Sequence, residues 1–212
     1  ASEICFTSAA NHCTNVGSTP PLWPPDNISP ETLSSTRLYA LIEVYCSRKM
    51  QVRYTKTMKL YSWNVNGIRA VIRKGEFTKF IEGHDPDIFC MQETKAQEGQ
   101  AEIDLPQYHE NWNSAVKKGY SGTAIFTKIS PKNVEYRSGM DDYDREGRIL
   151  RADFEGVSVM STYFPSGSSG EERQDFKYRF LEDFRDYSDK IKLEIPNLVI
   201  SGDYNICHRP ID

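Results

Sequence analysis

One pair of polar residues near the end of the sequence has the spacing of a metal- or phosphate-binding site. Asp203 and Asn205 follow the apolar segment 197–200, which is typical of a short strand. Side chains two residues apart on an extended chain project from the same face. A carboxylate and an amide placed in this way suit a water molecule, Mg²⁺ or a phosphate oxygen. A single pair does not identify a site, because Asp203 could equally cap the turn that follows it.

Two segments upstream repeat the pattern. Asn64 and Asn66 follow the strand-like segment 59–65 and precede a glycine, and Glu93 follows the apolar segment 87–92. The alternative role for both asparagines is to form the turn before that glycine. Three strand ends that carry amides and carboxylates nevertheless predict one polar pocket that suits a metal ion.

Other residues suggest contact with a phosphate-rich ligand. Tyr163 stands at a strand end before a Gly/Ser loop, although a half-buried strand tyrosine is the more ordinary interpretation. Basic residues beside an aromatic residue at a loop tip suit phosphate contact and insertion next to an unpaired base. The candidates for this role are Arg69, Lys74, Tyr120 and Arg148.

The elements that must position these residues alternate between strand and helix. The apolar spacing predicts a helix over 68–82, interrupted at Gly75, and a second helix whose apolar positions run from Phe176 to Ile191. Ser169 and Glu172 have the spacing of a capping box at its start. The predicted strands are 59–65, 87–92, 108–114, 122–128, 132–137, 147–154, 157–164 and 197–202. This order indicates an α/β protein in which sheet packs on sheet.

The composition of the chain argues against several classes of protein. The chain has 212 residues and a net charge of −4, which argues against a histone-like basic binder but not against a nuclease whose acidic residues hold Mg²⁺. Five cysteines without CxxC spacing argue against zinc and against a disulfide framework, so we expect a reducing compartment. No apolar run approaches membrane-spanning length, and the N-terminus does not have the pattern of a signal peptide.

The domain organisation is predicted from a change in composition at Met58. Residues 1–57 are rich in Ser, Thr, Asn and Pro, and only 36–46 could form a short helix or strand. We expect 1–57 to be a poorly structured or extraneous extension, with a targeting or partner-binding tail as the alternative. Residues 58–212, in which the strands and helices alternate, are expected to form one domain.

Six ordered motifs in 58–212 resemble the exonuclease III family of AP endonucleases, which belongs to the endonuclease/exonuclease/phosphatase superfamily. This resemblance implies a four-layer α/β sandwich, two packed mixed β-sheets flanked by helices, here incomplete at the C-terminus. It also implies Mg²⁺ as cofactor, with Mn²⁺ as a substitute. The motifs are SWNVNGIRA (62–70), IFCMQETK (88–95), KGYSGTAI (118–125), EGRILRADF (146–154), TYFP (162–165) and SGDYNICH (201–208).

The resemblance also implies roles for individual residues. Glu93 is the expected metal ligand, helped by the amide oxygen of Asn64, and Asp203 orients or deprotonates the attacking water. Asn205 positions metal or phosphate beside Asp203, and Tyr163 contacts the scissile phosphate. The DNA-contacting residues are Asn66, Arg69, Lys74, Tyr120 and Arg148.

The chain departs from the family pattern at three places. Asn66 stands where some relatives have Asp, and Ser166 stands where one branch has Asn. A Ser-Asp-His triplet, which supplies a histidine to the water-activating acid, does not occur in the sequence. His208 does not match that histidine. The sequence therefore predicts an inactive or nearly inactive fragment of a DNA-repair enzyme.

The expected function is Mg²⁺-dependent hydrolysis of DNA at abasic sites and from 3′ ends. We expect a monomer that acts on double-stranded DNA and does not bind a membrane. Its expected location is the cytoplasm or, in a eukaryote, the nucleus. Two alternatives stay open. One is a phosphoinositide or sphingomyelin phosphoesterase of the same superfamily, and the other is a non-enzymatic nucleic-acid-binding remnant.

Overall fold

The structure, a computed structural model, describes residues 40–44, 58–195 and 197–206. Two β-sheets and four helices account for most of them. The strands are β1 (Ala40–Val44), β2 (Met58–Asn64), β3 (Ile88–Gln92), β4 (His109–Asn113), β5 (Thr123–Thr127), β6 (Asn133–Glu135), β7 (Ile149–Asp153), β8 (Ser158–Tyr163) and β9 (Leu198–Asp203). The helices are α1 (Ile68–Arg73), α2 (Glu76–His84), α3 (Asp141–Asp144) and α4 (Glu171–Glu194).

Both sheets are mixed, and each contains one parallel pair. The first has the order β1-β2-β3-β5-β4, and the second has the order β6-β7-β8-β9. Strands β2 and β3 are parallel, with Asn64 opposite Gln92, and β8 and β9 are parallel, with Tyr163 opposite Asp203. Because parallel strands end at the same edge of a sheet, the polar residues that follow them are brought together within each sheet.

Three apolar clusters show that the molecule has four layers. One cluster lies between the sheets and joins residues such as Leu60 and Ile125 to Leu150 and Val159. A second packs α1 and α2 on the outer face of the first sheet, and a third packs α4 on the outer face of the second. The predicted α/β sandwich of two packed mixed sheets flanked by helices is confirmed.

The helices match the prediction in part. The predicted interruption of the stretch 68–82 at Gly75 is confirmed, because Gly75 adopts φ 71° and separates α1 from α2. The predicted capping box at Ser169 and Glu172 is wrong, since α4 begins after Gly170 without a side-chain cap. The short helix α3 was not predicted.

The segment before Met58 is described only over 40–44. These residues form the edge strand β1, paired antiparallel with β2, inside the window 36–46 in which a short helix or strand was possible. The rest of 1–57, and His208, lie outside the described residues. In the described part of the chain, no helix combines the length and the apolarity needed to cross a membrane.

Candidate functional site

The centre of the site is an amide placed between two carboxylates. The Nδ2 atom of Asn64 donates hydrogen bonds to Oε2 of Glu93 at 3.1 Å and to Oδ2 of Asp203 at 2.7 Å. In the first sheet, Asn64 is the last residue of β2 and Glu93 directly follows β3. Asp203 is the last residue of β9 in the second sheet, so these hydrogen bonds join the two sheets at one edge. The structure therefore brings the three predicted strand ends together.

Asn64 and Asp203 are oriented by turns of the same kind. The Oδ1 atom of Asn64 accepts from the backbone N–H of Asn66 at 2.9 Å, and Oδ1 of Asp203 accepts from the N–H of Asn205 at 3.1 Å. The expected amide oxygen of Asn64 is thus used in its turn, and its NH2 group faces the carboxylates. The orientation follows from hydrogen bonds at both ends of the amide, since only Nδ2 can donate to the carboxylates.

Glu93 is held by an unusual backbone and by a lysine. Glu93 and Lys95 have φ values of 56° and 51°, in the left-handed region that non-glycine residues seldom occupy. The Lys95 ammonium lies 2.9 Å from Oε1 of Glu93 and donates to Oδ1 of Asn66 at 2.5 Å. The backbone oxygen of Glu93 accepts from the N–H of Gly67 at 2.8 Å. Sequence reasoning missed Lys95, although its place two residues after Glu93 was the available signal.

Tyr163 faces the same carboxylates. Burial raises the pKa of its phenol, the charge of Glu93 raises it further, and the pull of Arg148 in the opposite direction does not offset them. Asp203 and a hydrogen bond with Glu93 add to the rise. The phenol therefore stays protonated across the neutral range and can donate a hydrogen bond.

Asn205 does not project beside Asp203 as an extended chain would require. Its φ of 47° turns the backbone, and its Nδ2 donates to the backbone oxygen of Phe164 at 2.8 Å. Its own backbone oxygen accepts from Lys177 at 2.6 Å. The NH2 group of Asn205 is therefore used within the protein, where it helps to fix the turn after β9, and the expected role of its amide oxygen toward metal or phosphate stays a prediction.

The residues expected to contact DNA fall into two groups. Asn66, Arg69 and Lys74 are exposed near the start and end of α1, and Arg69 also donates to the backbone oxygen of Lys95 at 3.2 Å. Tyr120 is half-buried, and the Lys117 ammonium lies 5.3 Å from the centre of its ring. These positions leave each side chain at the surface.

Arg148 departs from the expectation of a surface phosphate contact. Its side chain is only 2% exposed and forms an ion pair with Glu146, with 2.6 Å between Nε and Oε2. It also donates to the backbone oxygen of Tyr163 at 2.8 Å. A buried guanidinium needs such partners, because removing a charge from water is costly unless it is paired. Its donors are therefore directed into the protein.

The donor set can be tested for a divalent cation. Among the described residues, no group of three or more His, Cys, Asp or Glu side chains is arranged to hold a metal ion. Glu93 and Asp203, both within hydrogen-bonding distance of one amide nitrogen, supply two carboxylates. This set fits Mg²⁺, which commonly binds one or two carboxylates and keeps several waters. It fits poorly with Zn²⁺, which favours Cys and His.

Neither described histidine lies in the site. His84 ends α2 and packs on Phe80, near the start of β2, and His109 begins β4 opposite Thr127. Both positions are at the strand ends opposite those that carry Asn64 and Gln92. In the described chain, the Asp203 carboxylate thus has an amide and no imidazole beside it.

Comparison with known proteins identifies related sequences. The family model described as Endonuclease/Exonuclease/phosphatase family matches residues 61–212. An exodeoxyribonuclease of Bacillus subtilis (strain 168) is 45% identical over 155 residues, which cover 73% of this chain and 61% of that protein. The DNA repair nuclease APEX1 of Danio rerio is 39% identical over 160 residues, covering 73% of this chain and 51% of that protein.

Solved structures have the same fold. An AP endonuclease from Archaeoglobus fulgidus matches with a TM-score of 0.61 and 30% identity, covering 73% of this chain and 60% of that one. The Neisseria 3′ phosphatase NExo, bound to a product DNA hairpin, matches with a TM-score of 0.63 and 23% identity, which shows the fold alone. The chain spans about three fifths of the length of the Bacillus subtilis relative and about half of that of the Danio rerio relative.

Proposed function

This chain belongs to the endonuclease/exonuclease/phosphatase family, in the exonuclease III branch that its motifs resemble, and we propose that its strand-end site serves the hydrolysis of phosphodiester bonds in DNA. The substrate is double-stranded DNA at abasic sites and 3′ ends, and Mg²⁺ is the cofactor, with Mn²⁺ as a substitute. The observation that carries the proposal is the Asn64 amide between Glu93 and Asp203.

Each side chain of the site has a role that its contacts support. Glu93 and Asp203 would hold the metal, which neutralises phosphate charge when bound. The Oδ2 atom of Asp203, which the turn does not use, can orient a water and accept its proton. Tyr163 stays protonated and can donate to a phosphate oxygen. Asn64 fixes the spacing of the two carboxylates.

The contacts to DNA are proposed for the exposed residues. The phosphate backbone of DNA would contact the residues near α1, which are Asn66, Arg69 and Lys74, and Tyr120 at its loop tip. The protein would act as a monomer. A DNA substrate places the protein in the cytoplasm or nucleus, a reducing compartment. The free, buried thiol of Cys90, whose pKa burial raises to about 12, is compatible with that setting.

Slow turnover is part of the proposal. A histidine beside the water-activating acid would help to accept its proton, and the described residues place none beside Asp203. Loss of one member of a coupled catalytic group can remove most of the rate. DNA binding with weak or absent cleavage is therefore the second candidate function for this chain.

The test uses binding as well as activity. Mn²⁺ is titrated into the chain and followed by electron paramagnetic resonance, with Glu93→Gln as the variant and Glu98→Gln, an exposed glutamate of the following loop, as the matched control. We expect Glu93→Gln to weaken Mn²⁺ binding by roughly 10-fold or more and Glu98→Gln to leave it unchanged. Equal affinity in all three proteins would contradict the metal assignment.

The substrate is tested by competition. Abasic duplex DNA is compared with a phosphoinositide vesicle for cleavage and for binding, at increasing salt. We expect preference for the duplex and a steep loss of binding with salt, because phosphate contacts release counterions. Preference for the phosphoinositide would replace the proposal with the superfamily alternative. Salt-sensitive DNA binding without any Mg²⁺-dependent cleavage would favour the binding function.

A further inference from the structure

A second polar cluster lies beside the site and joins it to a surface loop. Its members are Tyr120 in the turn before β5, Glu146 and Arg148 before β7, and Arg173 in the first turn of α4. The phenol oxygen of Tyr120 accepts from Nη2 of Arg148 at 3.2 Å and from Nη2 of Arg173 at 3.0 Å. Neither arginine has a role in the chemistry proposed for Glu93, Asp203 and Tyr163.

Arg148 connects this cluster to Tyr163. Its Nη1 donates to the Tyr163 backbone oxygen at 2.8 Å, and its guanidinium carbon lies 4.9 Å from the centre of the Tyr163 ring. Its Nη2 is the group that donates to Tyr120. One buried, planar guanidinium therefore holds both the backbone and the ring of a site residue while it holds the side chain of a loop residue.

The position of Arg148 is tightly constrained. Glu146 accepts from Nε of Arg148 at 2.6 Å and from both terminal nitrogens of Arg173, at 3.1 and 3.2 Å. Gly147 between them has φ 61°, and a Cβ atom there would stand 2.4 Å from the backbone oxygen of Asn113. The backbone between Glu146 and Arg148 therefore packs directly against the end of β4, where no side chain would fit.

We propose that Arg148 is a positioning residue which couples Tyr120 to Tyr163, so that DNA in contact with the loop tip changes the placement of Tyr163 in the site. The proposal rests on the proposed function for its ligand. The physical reason is that a buried charge does not give up a partner without compensation. When a phosphate draws the Tyr120 hydroxyl away, the guanidinium must adjust, and its two other contacts move Tyr163.

The geometry also predicts which substitutions break the coupling. Tyr120→Phe removes the hydroxyl and leaves the ring, so Arg148 and Arg173 each lose one acceptor. Arg148→Lys keeps the charge, but an ammonium lacks the planar fork that reaches Glu146, Tyr120 and Tyr163 together. Tyr178→Phe is the matched control, because Tyr178 is an exposed tyrosine of α4.

The experiment places 3-fluorotyrosine at position 163 and records the ¹⁹F spectrum of the whole chain. An abasic-site analogue duplex is then added to the wild type and to each variant. We expect Tyr120→Phe to shift the Tyr163 resonance without DNA and to reduce its response to DNA. Tyr178→Phe should match the wild type in both measurements, and Arg148→Lys should shift the DNA-free resonance further than Tyr120→Phe does.

The outcomes separate this inference from the proposed function. A Tyr163 resonance that ignores Tyr120→Phe, both without DNA and with it, would overturn the coupling even if the chain binds DNA well. A resonance that responds to Tyr120→Phe but not to DNA would support the link through Arg148 and count against DNA as the ligand.

Discussion

The two strand ends that meet in the site use the same turn with opposite chemistry. After β2, Asn64 Oδ1 binds the N–H of Asn66, and after β9, Asp203 Oδ1 binds the N–H of Asn205. The third residue of each turn has a positive φ, 43° for Asn66 and 47° for Asn205. What remains free is an amide NH2 at one end and a carboxylate oxygen at the other, and these two groups bond at 2.7 Å.

The pairing of an amide with a carboxylate explains how the two sheets are held together by hydrogen bonds at a polar edge. If both turns began with Asp, two carboxylates would face each other beside Glu93. If both began with Asn, the charge available to a cation would fall. An amide opposite a carboxylate provides a donor for an acceptor while it keeps two carboxylates within reach of one point.

The largest effect is expected from removing this asymmetry. Asn64→Asp keeps the turn, since Asp also forms it, but replaces the shared donor with a third carboxylate. We expect a loss of roughly 2 kcal/mol in the free energy of unfolding, measured with urea in the absence of divalent cations. Added Mg²⁺ should restore part of it.

Its control is an exposed pair with the same bond. Asn133 donates to Asp153 at 3.0 Å on the second sheet, where Asp153 lies opposite Ser158, at the other end of β8 from Tyr163. Asn133→Asp should cost less than about 0.5 kcal/mol, and Mg²⁺ should not reverse it. Equal costs at the two positions would show that the site pair has no special role in joining the sheets.

A reversal of the pair should recover stability. In the double variant Asn64→Asp with Asp203→Asn, both turns persist and the amide donates from the other sheet. Since Glu93 still faces a carboxylate at position 64, we expect recovery of only about half of the loss, in a double-mutant cycle. Strict additivity of the two single effects would mean that residues 64 and 203 do not interact.

The third residues of the turns should differ by a smaller amount. Asn66→Gly and Asn205→Gly both suit a positive φ, but only Asn205 donates from its side chain to a backbone oxygen of the protein interior, at Phe164. We expect Asn205→Gly to cost about 1 kcal/mol more than Asn66→Gly in urea unfolding. A larger cost at Asn66, whose amide oxygen accepts from Lys95 at an exposed position, would contradict this ranking.

The smallest effect is expected on the stability of the protein at low pH. Burial raises the pKa of Asp153, but hydrogen bonds from Arg151 and Asn133 lower it more, so its pKa is below the ordinary value of 3.8. A lowered pKa gives stability that is present above pH 3.8 and lost as pH falls through the folded value. Asp153→Asn should therefore flatten the acid loss of stability, by about 0.5 kcal/mol because water screens the group. An unchanged slope below pH 4 would contradict it.

Much of the fold was predictable because apolar spacing governs which face of a strand or helix is buried. Residues 171–194 form one long helix, and β3 is buried at every position, as an apolar segment requires. The start of α4 was not predictable from Ser169 and Glu172, because their spacing does not show where the helical hydrogen bonds begin. The interruption at Gly75 was predictable from the sequence, but the left-handed φ that ends one helix there and begins another was seen only in the structure.

The site also combines features that the sequence predicted with features that it did not. Glu93 and Asp203 were predicted from strand-end carboxylates, and the structure places them on one amide. Arg148 was predicted as a surface contact. Its charge is paired with Glu146, two residues earlier, but the hydroxyl of Tyr120 that accepts from its guanidinium is brought near only by the fold. Lys95 was visible beside Glu93, but its contact with Asn66 needs two left-handed residues that spacing does not reveal.

The sequence by itself determined the residue types at the strand ends and the alternation that delivers them there, since both follow from local spacing. Only the tertiary structure decided which atom of each residue faces the site. The orientation of the Asn64 amide depends on acceptors 29 and 139 residues away. A side-chain amide has a donor end and an acceptor end of nearly equal size, and only the partners that folding supplies can distinguish between them.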